Sequence, residues 1–360
     1  MSRVVIAAGG TAGHVVPALA VAEALADSGA HVEFIGGERA EAEFVPAAGY
    51  PFHPLAMAGI DRHNPLRAAR AAMLALRATA SARGILRRVR ADVVMGAGGY
   101  VAGPVGLAAR SLGLPLALTE ADSHLGVANR LLAPLASRVF LAFPLEDRTG
   151  DRYQVVGRPI ASGTAAGDRA SARERVGIGA GERCLLIFGG SLGAKRLNLA
   201  AIDAFGDAAP CAVLHACGRR DHPELAGRLA QKGDPPHYHL HPYIEPFADA
   251  LAAADLVAGR AGGSVLEVAA AGLPAILVPY PHATGDHQTA NARYMARTGA
   301  AVVVPDSELD GARLRREVAG LLGSPGRMRG MADAARAAAK PDAAERIARE
   351  LLALAPTRSG

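Results

Sequence analysis

The chain has 360 residues, of which 50% are hydrophobic, and this size predicts two domains with a hydrophobic core in each. It has no apolar run of the roughly 18 residues that span a bilayer, and its N-terminal apolar stretch is shorter than the roughly 7–15 residues of a signal-peptide core, so we expect a cytoplasmic protein. The net charge of +5, carried almost entirely by arginine, favours anionic partners.

In the first part of the chain, predicted strands alternate with predicted helices. The apolar run from Val4 to Ala8 indicates a buried strand, and a helix is predicted from about Val15 to Ser28. Strands that alternate with helices indicate a parallel sheet that is covered on both faces. Further strands are predicted at His31 to Ile35, Asp92 to Met95, Pro115 to Thr119, Arg138 to Ala142 and Tyr153 to Val156.

A domain boundary is predicted at Gly157-Arg158-Pro159 and the polar segment from Ser162 to Ser171. The strand and helix pattern then restarts. The predicted fold class is therefore α/β, with two Rossmann-like parallel-sheet domains, residues 1–160 and 161–340, that face a cleft. A last helix is predicted from about Asp342 to Leu354. The second domain has predicted strands at Cys184 to Phe188, Cys211 to Ala216, His237 to Leu240, Asp255 to Ala258, Ala275 to Val278 and Ala300 to Val304.

The glycine-rich loop GGTAGH, residues 9–14, follows the first predicted strand. It differs from the G-x-G-x-x-G fingerprint, so no nicotinamide cofactor is indicated, and we predict no cofactor of any kind. His14 could be a helix-start residue bonded to the backbone. It could also be a general base, since the ordinary pKa of histidine, about 6.5, is near working pH. Glu120, at the end of another strand, either assists this site or is a solvated charge.

A second candidate site lies where Gly262 and Gly263 precede the apolar helical run from Val265 to Ala271. Glycines there leave backbone N–H groups bare at a helix N-terminus, which attracts anions and above all phosphate. Ser264 is a candidate N-cap, and Glu267 follows at the spacing of a capping box. Alternatively, the Glu267 carboxylate accepts hydrogen bonds from ribose hydroxyls.

The loop GGSLGA, residues 189–194, is a second predicted phosphate cradle, in which Ser191 can donate to a phosphate oxygen. The alternative is a merely tight turn from strand to helix. No Asp-x-Asp motif offers a metal anchor for a diphosphate, so helix N-termini and side-chain donors would stabilise it instead. The cysteines have no CxxC spacing and are interpreted as core or surface thiols rather than a metal site, namely Cys184, Cys211 and Cys217.

The order and spacing of these motifs resemble the GT-B glycosyltransferases, and among them the bacterial UDP-GlcNAc transferases of peptidoglycan synthesis. The resemblance implies metal-independent, inverting transfer of GlcNAc from UDP-GlcNAc to the C4 hydroxyl of undecaprenyl-diphospho-MurNAc-pentapeptide. A UDP-GlcNAc 2-epimerase of the same architecture and a non-catalytic nucleotide-sugar sensor remain alternatives. The motifs are GGTAGH (9–14), GAGGYVAGP (96–104), GGSLGA (189–194), RAGGSVLE (260–267), AAAGLPAILVP (269–279) and HQTANA (287–292).

The resemblance also implies that the C-terminal helix, residues 341–360, joins the first domain, and it implies roles for individual residues. His14 is the first candidate for the base that deprotonates the acceptor, and Glu120 and Asp122 are the other candidate catalytic groups. Ile244 matches the position beside the uracil, whereas Asn291 is interpreted as structural. The implied UDP-GlcNAc contacts are Thr11, Ala12, Gly13, Asp122, Ser191, Ile244, Gly262, Gly263, Ser264, Glu267 and Gln288.

The chain departs from the pattern of this family at three places. Many relatives read His-Glu-Gln-Asn where this chain has Thr119-Glu120-Ala121-Asp122, so a carboxylate replaces an amide. Leu192 replaces a polar residue in the second glycine loop. The usual arginine after the first domain is replaced by Ala161, and Arg158 is the nearest substitute for its charge.

The segment from Arg62 to Ala91 contains eight arginines and no acidic residue. It could be an ordinary solvated helix face. The lipid-linked acceptor that the resemblance implies favours a basic amphipathic surface on anionic lipid instead. We therefore predict a peripheral protein on the cytoplasmic face of the cell membrane. Nucleic acid is not a predicted partner, since aromatic interleaving and DNA-binding motifs are lacking.

Overall fold

The chain consists of two compact units, which we call the first unit (residues 1–161 and 340–360) and the second unit (residues 162–339). The domain boundaries predicted from the sequence lie within one residue of these limits. Thr11, Ala161, Ser191 and Leu192 lie outside the described residues. The computed structural model describes residues 1–10, 12–56, 65–160, 168–190 and 194–356, and at residues 12, 65–72 and 284 it describes the backbone alone.

The first unit contains a seven-stranded parallel sheet with helices on both faces. Its strands are β1 (Arg3–Ala7), β2 (His31–Gly36), β3 (Phe52–Pro54), β4 (Val93–Gly96), β5 (Leu116–Glu120), β6 (Arg138–Leu141) and β7 (Tyr153–Val155). They lie in the order β3-β2-β1-β4-β5-β6-β7. The helices between them are α1 (Ala12–Asp27), α2 (Ala40–Ala47), α3 (Pro65–Arg88), α4 (Ala102–Ser111) and α5 (Val127–Leu132), followed by a single 3-10 turn at Ala133–Leu135.

The second unit repeats this plan with a six-stranded parallel sheet in the order β10-β9-β8-β11-β12-β13. The strands are β8 (Cys184–Phe188), β9 (Ala212–Ala216), β10 (Tyr238–His241), β11 (Leu256–Gly259), β12 (Ala275–Leu277) and β13 (Ala301–Val303). The helices are α6 (Arg169–Arg175), α7 (Lys195–Phe205), α8 (His222–Gln231), α9 (Phe247–Ala253), α10 (Val265–Ala270), α11 (His287–Arg297), α12 (Gly311–Leu322) and α13 (Pro325–Ala338), with 3-10 turns at Thr284–Asp286 and Asp306–Glu308.

The last helix, α14 (Ala343–Leu354), belongs to the first unit, where it packs against α1. Ile347 and Leu351 of α14 are fully buried beside Val4 and Ile6 of β1. The opposite face of β1 packs with residues of α3 and α4. Both faces of this strand are apolar because helices cover both sides of a parallel sheet.

The predicted alternation of strands and helices in two parallel sheets is confirmed, and the observed ends of the predicted strands differ by one residue at most places. Strand β3 was not predicted, because three residues that include Pro54 carry too short a pattern. Proline is tolerated there since β3 is an edge strand. All three cysteines are buried thiols, and burial raises the pKa of Cys184 to about 12.

None of the helices that the structure describes has both the length and the apolar character needed to cross a bilayer.

Candidate active site

Three loops of the first unit lie side by side, because they follow the neighbouring parallel strands β2, β1 and β4. A Cβ atom added to Gly9 would lie 2.5 Å from Cγ2 of Val101. One added to Gly99, which has φ +75°, would collide with the carbonyl oxygen of Gly9. Glycine is therefore required at both positions by contact between the loops. The predicted approach of a ligand to residues 9–14 stays a prediction.

The carboxylate of Glu41, in the first turn of α2, joins these three loops. Its Oε2 accepts a hydrogen bond from the amide of Gly10 at 2.9 Å, and its Oε1 accepts one from the amide of Gly37 at 2.9 Å. The hydroxyl of Tyr100 also donates to Oε1, at 3.2 Å. Glu41 is fully buried. The sequence analysis did not select this residue, although it follows the Gly36-Gly37 pair at the end of β2.

The imidazole of His14 lies against the backbone of Gly98, since a Cβ atom added there would be 2.6 Å from its Cδ2. Burial lowers the pKa of His14 from its ordinary value. The charge of Asp122 opposes this shift, the charge of Arg158 adds to it, and the charge of Glu41 opposes it. The structure therefore brings His14 into electrostatic contact with one cation and two carboxylates.

Glu120 is the last residue of β5 and Asp122 lies in the loop that follows, but the two have different surroundings. The buried Glu120 carboxylate accepts hydrogen bonds from the amide of Gly126 at 2.8 Å and from Nδ2 of Asn129 at 3.0 Å. Burial raises the pKa of Glu120, and these two hydrogen bonds oppose that shift. Glu120 thus holds its own loop, and its predicted catalytic role stays a prediction. Asp122 is half-buried and interacts with the charge of His14.

Arg158 is buried, and its Nη2 donates to the carbonyl oxygen of Gly13 at 3.0 Å. It therefore fixes the backbone next to His14 and places a positive charge near that imidazole. The sequence offered Arg158 only as a substitute for a missing arginine. The structure gives it a separate contact within the first unit.

In the second unit, bare N–H groups were predicted before α10, and the amides of Gly262, Gly263 and Ser264 make no hydrogen bond to the residues that the structure describes. The amides of Val265 and Leu266 are already bonded, at 3.2 Å each, to the carbonyls of Gly262 and Gly263. A Cβ atom at Gly262 would meet nothing within 4 Å. The absence of a side chain there is not required by packing against the described residues, so this glycine leaves the helix start open.

The capping-box interpretation of Glu267 is wrong. Ser264 occupies the N-cap position, but its side chain makes no hydrogen bond to the first turn of α10. Glu267 is half-buried and lies near Tyr243, whose pKa is raised by burial and then by the charges of Glu245 and Glu267. Ile244, the next residue, is buried. The charge of Glu267, the predicted ribose contact, thus acts on the chain neighbour of Ile244, the predicted uracil contact.

Two side chains of α11, Gln288 and Asn291, form hydrogen bonds with the backbone amide and the backbone carbonyl of Ala261. Oε1 of Gln288 accepts hydrogen bonds from the amides of Tyr280 at 2.9 Å and Ala261 at 3.2 Å. Nδ2 of the buried Asn291 donates to the carbonyl of Ala261 at 3.0 Å, which supports its structural interpretation. Nε2 of Gln288 donates to no residue within the described part of the chain.

Arg260 was not selected from the sequence, yet it connects the ends of β11 and β12. Its buried guanidinium donates to Asp306 at 2.6 Å and to the carbonyls of Val278 and Pro279 at 3.1 and 3.3 Å. It also lies over the ring of Tyr280, 5.5 Å from the ring centroid. These contacts fix the loop that carries Tyr280, and through it the position of Gln288.

Two family models match the chain, and together they cover most of both units. The N-terminal domain of glycosyltransferase family 28 matches residues 4–141, and the C-terminal domain of the same family matches residues 184–347. The chain belongs to glycosyltransferase family 28.

Relatives of this glycosyltransferase match over nearly the whole chain. The UDP-N-acetylglucosamine–N-acetylmuramyl-(pentapeptide) pyrophosphoryl-undecaprenol N-acetylglucosamine transferase of Acidithiobacillus ferrooxidans is 45% identical over 350 residues, 96% of each chain. The enzyme of the same name from Moorella thermoacetica is 42% identical and covers 97% of this chain and 98% of its own.

Solved structures of similar proteins have the same fold as this family 28 enzyme. The crystal structure of MurG from Acinetobacter baumannii is 32% identical, has a TM-score of 0.78, and covers 98% of this chain and 100% of that one. The predicted GT-B fold is thus confirmed. A putative UDP-N-acetylglucosamine 2-epimerase from Listeria monocytogenes has a TM-score of 0.70 at 15% identity over 96% of this chain and 94% of its own, which shows a shared fold alone.

In the family 28 enzyme, the N-terminal family domain contains His14 and Asp122, and the C-terminal one contains Glu267 and Gln288. Within residues 1–10, 12–56, 65–160, 168–190 and 194–356, no three His, Cys, Asp or Glu side chains are arranged to hold a metal ion.

Proposed function

We propose that this glycosyltransferase transfers GlcNAc from UDP-GlcNAc to the C4 hydroxyl of undecaprenyl-diphospho-MurNAc-pentapeptide, in peptidoglycan synthesis. The observation that carries the proposal is the 45% identity, over 96% of both chains, to a transferase whose name states this donor sugar and this lipid acceptor. Roles in cell shape and division follow from the need for peptidoglycan during growth.

The second unit binds the donor in this proposal. The uracil lies beside Ile244, and the carboxylate of Glu267 accepts hydrogen bonds from the ribose hydroxyls. The bare amides of residues 262–264 receive the diphosphate, with Ser191 as a further donor. Because Oε1 of Gln288 is occupied by two backbone amides, this side chain donates through Nε2 to the oxygens of the GlcNAc ring.

The first unit binds the acceptor and supplies the base. The C4 oxygen attacks the anomeric carbon as the bond from that carbon to the diphosphate oxygen breaks, and UDP leaves with the electron pair. The hydroxyl proton passes to the neutral imidazole of His14. The nearby charge of Asp122 stabilises the imidazolium that forms. Attack opposite to the leaving diphosphate inverts the anomeric centre and gives a β(1→4) bond.

Product analysis tests the proposal against its alternatives. The enzyme is incubated with UDP-GlcNAc, with and without a MurNAc-diphospholipid acceptor, and the products are separated by chromatography and identified by mass spectrometry and NMR, which distinguishes epimers of equal mass. We expect UDP and the disaccharide lipid only when the acceptor is present. A change in UDP-GlcNAc without acceptor would indicate an epimerase, and binding without turnover would indicate a sensor.

We expect transferase activity to persist in excess EDTA, because the chain has no Asp-x-Asp motif and helix N-termini can stabilise the leaving diphosphate. The measurement is the initial rate of UDP release with and without EDTA, with a Mg²⁺-dependent glycosyltransferase as a control for chelation. Loss of activity in EDTA that Mg²⁺ restores would contradict this prediction.

We propose that the enzyme rests on the cytoplasmic face of the membrane through one surface of the first unit, which we call the α3–α5 surface. On α3, Met73 is 56% exposed and Leu76 is 73% exposed, and Arg77, Arg87 and Arg88 are exposed on the same side of the helix. This mixture of apolar and basic side chains is typical of contact with anionic lipid. Further exposed apolar side chains lie on α4, which packs against α3, and on α5 and its 3-10 turn, which follow α4, at Leu107, Val127, Leu131 and Leu135.

Replacing Arg77, Arg87 and Arg88 with glutamine is expected to reduce binding to vesicles that contain anionic lipid, since each arginine near such a surface contributes roughly 1 kcal/mol. Arg83 is left in place because its Nη1 donates to Ser111. The measurement is vesicle sedimentation at two salt concentrations, together with the rate on a water-soluble acceptor, which should be unchanged.

The matched control for this prediction carries the same charge change in the second unit. Arg316, Arg327 and Arg329 are exposed on α12 and α13 and are replaced with glutamine together. We expect this triple variant to bind vesicles like the parent. Equal loss of binding in both triple variants would show that only net charge matters, and the α3–α5 surface would not be the membrane contact.

A further inference from the structure

We propose that Glu41 is a positioning residue for glycosyl transfer, because its carboxylate is the shared hydrogen-bond acceptor of the loops that hold His14. This inference rests on the proposed function, in which His14 is the base. Glu41 lies outside all of the sequence motifs described above.

The loops on two sides of the His14 ring are both fixed to the Glu41 carboxylate. On one side, the amide of Gly10 donates to Glu41, and a Cβ atom added to Gly10 would lie 3.9 Å from Nδ1 of His14. On the other side, Gly98 packs against the ring, and Tyr100, two residues later, donates to Glu41 through its hydroxyl. A shift of the Glu41 carboxylate would therefore move both loops that lie beside the His14 ring.

The burial of Glu41 has a cost that its hydrogen bonds must offset. A carboxylate removed from water is strongly destabilising unless donors surround it. Glu41 receives three donors, two backbone amides and one hydroxyl, and all three come from loops at the sheet edge rather than from α2 itself. An apolar residue would fill the same volume but could not connect these loops. The contacts thus serve the arrangement of the loops.

The charge of Glu41 has a second effect on His14. Burial lowers the pKa of His14 and the charge of Arg158 lowers it further, whereas the charges of Asp122 and Glu41 raise it. Removing the charge of Glu41 would leave His14 a weaker base. It would also keep His14 neutral to lower pH, so activity that needs the neutral imidazole would extend to lower pH.

Glu41→Gln tests the proposal, with Glu43→Gln as the matched control, because Glu43 is exposed on the same helix. In Glu41→Gln one carboxylate oxygen becomes an NH₂ group, which cannot accept from a backbone amide. We expect kcat to fall about tenfold or more, as displaced catalytic groups do, with KM for UDP-GlcNAc unchanged. The pKa of His14, followed by NMR and assigned with His14→Gln, should fall, and the acid limb of the pH profile should move to lower pH.

A second variant, Glu41→Asp, separates position from charge and serves if circular dichroism shows that Glu41→Gln is unfolded. It keeps the carboxylate but shortens its reach, so we expect a lower kcat while the pKa of His14 stays close to that of the parent. Parental kcat in Glu41→Asp, or parental kcat and His14 pKa in a folded Glu41→Gln, would overturn the proposal. If His14→Ala retains kcat while Glu41→Gln loses it, the base assignment fails and Glu41 still positions the loops.

Discussion

Replacing His14 with alanine is expected to lower kcat by roughly 10²–10⁴-fold, the usual contribution of a general base, with little change in KM for UDP-GlcNAc. The reason is that the acceptor alcohol must lose its proton as it attacks, whereas the proposed donor contacts lie in the second unit. Because burial lowers the pKa of His14 below its ordinary 6.5, the acid limb of kcat/KM in the parent should lie below pH 6.5. The measurement is kcat and kcat/KM from pH 5 to 9 at saturating acceptor.

Asp122→Asn is the comparison that decides between the two candidate bases. It restores the amide that many family members have and removes the charge that raises the pKa of His14. We expect a loss of kcat far smaller than that of His14→Ala and an acid limb at lower pH. A large loss in Asp122→Asn beside a mild one in His14→Ala would make Asp122 the base.

Replacing Glu267 with alanine is expected to raise KM for UDP-GlcNAc by about 30-fold, because a hydrogen bond to a charged group contributes about 2 kcal/mol. The structure strengthens this prediction, since Ser264 makes no capping bond and Glu267 lies near Tyr243, beside Ile244. Donor affinity can be measured directly by titrating UDP into the enzyme in a calorimeter.

The control for this prediction is Glu345→Ala, which removes an exposed glutamate from α14 in the first unit. It should leave both KM and the thermal unfolding temperature at their parental values. Glu267→Ala should also unfold at the parental temperature, because Glu267 is only half-buried. Unchanged UDP affinity in Glu267→Ala would show that this carboxylate does not contact the ribose.

The architecture could be predicted from local patterns because the central strands β1, β4, β8 and β11 are apolar on both faces. Val4 to Ala8 and Cys184 to Phe188 each stand before a glycine loop and a helix, which identifies a parallel α/β unit. β3 could not be predicted, since its partner β2 supplies the hydrogen bonds that define it. α7 starts at Lys195, directly after the glycine loop 189–194 that the sequence shows.

The candidate site was less predictable, because its organisation depends on contacts between distant loops. Residues in glycine motifs, such as His14, are visible as a local pattern. Glu41 cannot be recognised in this way, because an acidic residue in the first turn of a helix is common. It becomes buried only when β2, β1 and β4 pair and bring their loops together. The sequence likewise could not show that Gly9 and Gly99 are required because their two loops are in contact.

α14 is the last helix of the first unit and completes its core. The first unit is therefore begun before the second unit during synthesis, but its core can be completed only after the second unit has been made. A ribosome produces β1 and α1 first, yet the apolar face of α1 that packs against α14 stays uncovered until Ile347 and Leu351 emerge. The second unit, residues 162–339, is made without interruption and can finish folding earlier. During translation, chaperones would therefore meet exposed apolar surface at the N-terminal half of the nascent chain, which is the opposite of the usual N-to-C progression.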